Sequence, residues 1–182
     1  MKRLEIILAV TILMDVFAFA AEMEQRTIQS NREKITISVP KDWPAIGTRH
    51  TSAGKAYYQI GPANTNYSIQ FYLNEPLQRG TNVEERLQHS LESSLKPLIA
   101  NSVERRLQFM RFGKDKEGMY ARLTDPAPKP GEFLFYTRGV RLIGTNALGF
   151  ELASNDKDFS ALSNTLAVVE SVKVTGSETG VK

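Results

Sequence analysis

The stretch EFLFYTRGVRLIGTNALGFELAS, residues 132–154, decides the fold class. A run rich in β-branched and aromatic residues (132–144) and a shorter apolar run (147–154) are separated by Thr145-Asn146, with Gly144 just before, which reads as a long antiparallel hairpin. Immediately upstream, DPAPKPG (125–131) holds three prolines in seven residues, a rigid extended connection. Before it stand the strand MYARLT (119–124), the loop KDKEG and a further expected strand, VERRLQFMRFG (103–113).

Further upstream the period changes. Val83, Leu87, Leu91, Leu95 and Leu98 recur at helical spacing. Thr81 and Glu84 have capping-box spacing, and Pro97 is expected to kink or end the helix. KAYYQIG and NYSIQFYLNE (66–75) read as strands joined by a breaker-rich turn. In the second, Tyr67, Ile69, Phe71 and Leu73 point one way, and Ser68, Gln70, Tyr72 and Asn74 the other. In KITISV (34–39), Ile35, Ile37 and Val39 alternate with polar residues, and Pro40 ends the strand. The single Trp follows at 43, between Asp42 and Pro44, and reads as a plug at one end of the core.

Downstream of the hairpin, Asn155 and Asp156 suit the cap of a second helix, with Phe159, Leu162, Leu166 and Val169 as its stripe. SVKV then offers a short last strand. Mostly antiparallel strands with one central and one late helix predict an α+β fold, an antiparallel sheet flanked by helices.

The first residues carry a different signal. Lys2 and Arg3 precede an apolar run from Ile6 to Met14, broken by Thr11, and Ala18-Phe19-Ala20 has small residues where a signal peptidase reads them. The expected organisation is therefore a signal peptide over 1–20, a polar linker over 21–32, one domain over 33–175 and a flexible tail over 176–182. An uncleaved leader acting as a membrane anchor is the rival. Absence of Cys excludes a lipid-bearing Cys, thiol catalysis and disulfides, so an ordinary core must stabilise the domain. The expected location is the periplasm or the exterior.

The order of elements, and the strand-Pro-Trp opening of ITISVPKDWPAI (35–46), resemble the PsbP-like superfamily, which includes bacterial DcrB-type periplasmic proteins. GMYARLT, RLIGTNALGFELASND and DFSALSNTLAVVESVKV carry the rest of the resemblance. It implies an α/β/α sandwich and a non-enzymatic accessory or binding domain. It carries over no binding residue.

Candidate chemistry is sparse. Glu85, His89 and Glu92 lie at i, i+4 and i+7, but on the side of the helix opposite its apolar stripe, which is the solvent side rather than a metal site. Ala53-Gly54-Lys55 lacks the glycine and hydroxyl that a phosphate loop needs. No G-x-S-x-G occurs. Net charge is +3, too mild and too dispersed for a nucleic-acid surface. The basic residues Arg105, Arg106, Arg111, Lys114 and Lys116 gather near one expected strand, with Arg138 and Arg141 on another. Two readings stand for them. Arg105, Arg111, Arg138 and Arg141 could dock an acidic protein surface, or the charges could block edge pairing. The expected function is an exported accessory domain that binds another protein, without cofactor or metal, and with membrane contact only through an uncleaved leader. A small-ligand or lipid-binding protein is the second reading, and a hydrolase the third.

Overall fold

The computed structural model describes residues 22–29, 34–44, 46–50, 56–60, 66–73, 80, 82–143, 146–157 and 159–175. The expected leader, the AGK loop and the tail over 176–182 lie outside these. The elements run β1 (Met23–Gln29), β2 (Lys34–Pro40), β3 (Gly47–His50), β4 (Ala56–Gln59), β5 (Tyr67–Leu73), α1 (Val83–Ile99), β6 (Met110–Phe112), β7 (Gly118–Thr124), β8 (Phe135–Ile143), β9 (Asn146–Ser154), α2 (Ser160–Ser171) and β10 (Lys173–Thr175).

The hairpin of residues 132–154 forms the middle of the molecule. β8 and β9 pair antiparallel from Phe135 opposite Ser154 to Ile143 opposite Asn146. Outward from it the large sheet has the order β3-β4-β5-β9-β8-β7-β6, and a small sheet has the order β1-β2-β10. Among the described residues every pairing is antiparallel. The fold is α+β, with helices packed on antiparallel sheets.

Strand alternation gives the large sheet two apolar faces. Ile69, Phe71, Leu148, Phe150 and Leu152 meet α2 and the small sheet, sharing a core with Ile35, Ile37, Val39, Val168 and Val169. Met119, Ala121, Leu123 and Val140 meet Leu87, Leu91 and Leu95 of α1. Gly139 lies under the Phe150 ring. A Cβ there would fall 2.1 Å from a ring carbon, so only glycine admits the ring.

Trp43 is a core plug, 5% exposed and packed in the α2-side core. Its N–H closes a turn onto the Pro40 carbonyl at 3.0 Å. Its own carbonyl accepts from Arg26 of β1 at 2.6 Å.

Four expectations need correction. The segment read as a linker contains β1, paired along its length with β2, so the domain starts at Met23 rather than 33. MEQRTIQ hides its strand nature because an edge strand with one deeply buried residue, Ile28, shows no alternation. The strand expected over 103–113 is only Met110–Phe112, because Arg105 takes a left-handed φ of 52° within a turn. Helix α1 does end in the turn that holds Pro97, at Ile99, but its start differs from the expected one. Its cap is Asn82, whose side chain accepts the Glu85 N–H at 2.9 Å. Thr81, the expected cap, lies outside the described residues. In α2, Asp156 does cap the first turn, accepting the Ala161 N–H at 2.6 Å, but Phe159 leaves the stripe and stacks on Arg122.

Candidate functional site

The four arginines expected to form one docking surface have separate tasks. Arg105 is exposed in its turn. Arg111 donates to the Lys116 carbonyl at 3.0 Å and pairs with Glu84 in the first turn of α1 at 3.3 Å, tying the sheet edge to that helix. Arg141 pairs with Glu117 at 3.0 Å and donates to the Val169 and Glu170 carbonyls at 2.6 and 2.8 Å. A cation on these carbonyls neutralises the negative end of the α2 dipole. Arg138 points to the opposite face from Arg141, is 8% exposed at its side chain, and pairs with Glu151. Structure thus uses Arg111, Arg138 and Arg141 as internal ties and does not gather the four on one face.

Of the helical trio, His89 is exposed, and Glu92 accepts from Gln88 at 3.0 Å. Among the described residues, no three His, Asp or Glu side chains are placed to share a metal ion. No described helix is long and apolar enough to cross a membrane.

What the structure does gather is a polar row across the large sheet, on the face that carries α1. Register sets it. Gln59 of β4 stands opposite Gln70 of β5, Gln70 opposite Glu151 of β9, and Glu151 opposite Arg138 of β8. Tyr72 and Tyr57 flank this row, their ring centroids 5.7 Å apart at a 35° tilt. The Tyr72 hydroxyl is 2.9 Å from Gln70 Oε1 and 3.2 Å from Glu151 Oε2. Its ring lies 4.8 Å from the Arg138 guanidinium. The Tyr136 hydroxyl also bonds to Glu151. Glu151 is therefore the hub, accepting from Arg138 and from two tyrosines. Gln59 completes the row by donating to Ser68 Oγ and to the Ile69 carbonyl, each at 3.2 Å.

The electrostatics fix what this row can do. Burial raises the pKa of both Tyr72 and Tyr136, and the neighbouring Glu151 charge raises them further. Both phenols hold their protons more firmly than in water, the reverse of what a tyrosine base or nucleophile needs. The Arg138–Glu151 pair cancels its own charge. Tyr57, Gln59, Gln70 and Tyr72 are half-buried, so their outer edges reach solvent.

Alternation along β5 puts Gln70 and Tyr72 on one side. That Glu151 and Arg138 join them depends on register across two strand pairs, which no local pattern carries.

No family model, no curated protein and no solved structure matches the chain.

Proposed function

We propose that the protein is an exported, non-enzymatic accessory domain that binds another protein through the aromatic and amide face formed by Tyr57, Gln59, Gln70 and Tyr72. One observation carries the proposal: half-exposed tyrosines and amides stand on β4 and β5 beside a charge-neutral Arg138–Glu151 pair on the same face of the sheet. Tyrosine supplies broad contact area at low entropic cost and is enriched in protein interfaces. Mounting these side chains on a sheet rather than on loops pre-organises them. The raised phenol pKa values argue against proton-transfer chemistry at the same place.

Export rests on the sequence of residues 1–20, as does the periplasmic or external location. The α+β layering is in keeping with the PsbP-like resemblance, although many unrelated domains share such layering. With Arg111, Arg138 and Arg141 each held in an intramolecular ion pair, the docking surface we propose is the tyrosine face rather than the basic residues.

Capture from periplasmic extract tests this. Tyr57→Ala with Gln59→Ala is expected to abolish capture of the partner that the wild type retains, at low and high salt alike. Arg105→Glu with Arg111→Glu is expected to leave capture intact. The opposite pattern, loss on charge reversal with salt sensitivity, would return the docking surface to the basic residues.

A further inference from the structure

We propose that an apolar notch at the C-terminal end of α1 is a binding site for a small amphiphile: a short alkyl or single-ring body with an uncharged or cationic head group. The notch has a volume of about 370 Å³. Leu98, Leu123, Phe133, Leu134 and Tyr136 form its apolar lining, and Asp125 is one of the polar residues that complete it. Its size falls at the lower end of ligand pockets, which are mostly apolar with a few polar groups that set orientation. At about 30 Å³ per water-sized group, it holds on the order of a dozen non-hydrogen atoms.

The walls are fixed in advance. The Val103 N–H donates to the Thr124 carbonyl at 2.9 Å and the Asp125 N–H to the Leu134 carbonyl at 2.8 Å, closing the chain round the notch. Pro126, Pro128 and Pro130 stiffen the connection between its two sides. Asp125 is itself oriented, since its Oδ1 accepts the Ala127 N–H at 2.9 Å. A rigid site avoids the ordering cost of binding. Leu98, 41% exposed at the mouth, is a large aliphatic side chain left partly in water where a ligand body would cover it.

Charge selects the head group. Among the described residues that line it, Asp125 is the one that carries a charge. A carboxylate or phosphate head would meet a like charge, whereas an amine or hydroxyl would meet an acceptor. The site is therefore matched to an alkylamine or alcohol and against a free fatty acid. This inference does not rest on the tyrosine face, which lies over β4 and β5.

The test titrates the full chain with octylamine, octanol and octanoate, below their aggregation limits, by calorimetry and by NMR shift mapping. Octylamine and octanol are expected to saturate a single site and shift residues round Leu98 and Tyr136. Octylamine is expected to bind about tenfold more tightly than octanoate. Asp125→Asn, which keeps the acceptor for Ala127, should abolish that difference. Leu134→Trp should weaken all three probes about tenfold by filling the notch. Leu98→Trp, on an exposed helical position, should do the same should the first variant fold poorly. Octanoate binding as well as octylamine, unchanged binding in both tryptophan variants, or no saturable binding by the wild type would each overturn the proposal.

Discussion

Ile28→Ala separates a folded N-terminal strand from a linker. Ile28 is 7% exposed and belongs to the core shared by α2, the small sheet and one face of the large sheet. It stands opposite Ile35, itself 2% exposed, in the β1–β2 ladder. Truncating a buried isoleucine to alanine costs about 2–5 kcal/mol, according to how far the site collapses. β1 is an edge strand and can relax toward β2, which points to the lower part of that range, about 2–3 kcal/mol. A linker position would give a change within about 0.5 kcal/mol. Urea unfolding of the protein, followed by Trp43 fluorescence and by far-UV circular dichroism, measures the difference. With a slope of about 2 kcal/mol per molar, the midpoint should fall by about 1–1.5 M, with the slope itself unchanged. Arg26→Ala should add a separate loss, since Arg26 donates to the Trp43 carbonyl across the strand. A midpoint within about 0.2 M of wild type for Ile28→Ala would refute the assignment of β1 to the core.

Trp43→Ala should cost about 3–5 kcal/mol, as for a buried aromatic, and a loss below about 1 kcal/mol in urea would mean that the ring is not part of the core. Glu151→Gln should cost about 2–3 kcal/mol, because it leaves Arg138 with little solvent and no counter-charge. That is under the usual range for broken buried pairs because Glu151 is 25% exposed. In a double-mutant cycle of Glu151→Leu and Arg138→Met, the double should lose less than the sum of its two singles, and additive losses would sink the coupling. Acid should loosen the fold through Glu104 and Glu117. Burial opposes ionisation of both, but hydrogen bonds from Thr124 to Glu104, and from backbone N–H groups and Arg141 to Glu117, outweigh it and lower their pKa values. The unfolded chain then binds protons more tightly than the native one. This contribution is complete above the unfolded carboxylate range, near pH 4–5, and is lost as pH falls through the lower native values. Glu117→Gln should flatten the acid limb of the stability curve, and an unchanged limb would count against the assignment.

The parts legible in the sequence are those with local causes. The β8–β9 hairpin follows from two strand-like runs and a short turn, and α1 from its leucine spacing. Trp43 is found where its turn and its flanking residues place it. The parts that were not legible depend on partners distant in sequence. β1 is polar at most positions because it is an edge strand of the small sheet, and only pairing with β2 identifies it. Arg105 sits in a turn because the chain leaves α1 through Asn101 and Ser102, whose N–H groups close onto Leu98 and Ile99 at 3.2 and 3.1 Å. Nothing in the spelling VERRLQF distinguishes that from a strand.

The fate of the arginines shows why a basic cluster in sequence is poor evidence for a docking surface in a β-rich chain. Arg138 and Arg141 lie three residues apart, so alternation sends them to opposite faces of the sheet. Each then meets what its face offers. Arg138 finds a glutamate directly across the β8–β9 ladder, and Arg141 finds the open carbonyls of a helix end. Glu151 neutralises Arg138 and Glu117 neutralises Arg141, both where water is scarce, which is why neither adds to a surface potential. A row such as Gln59-Gln70-Glu151-Arg138 arises the other way. Its members come from four strands and share one face only because three registers agree. A one-residue slip of β9 against its neighbours would turn Glu151 into the apolar core beside Phe71 and expose Phe150. The same hydrophobic alternation that fixes the core therefore fixes the polar row. Any substitution that weakens the register of β9, rather than one that touches the tyrosines, should disturb both together.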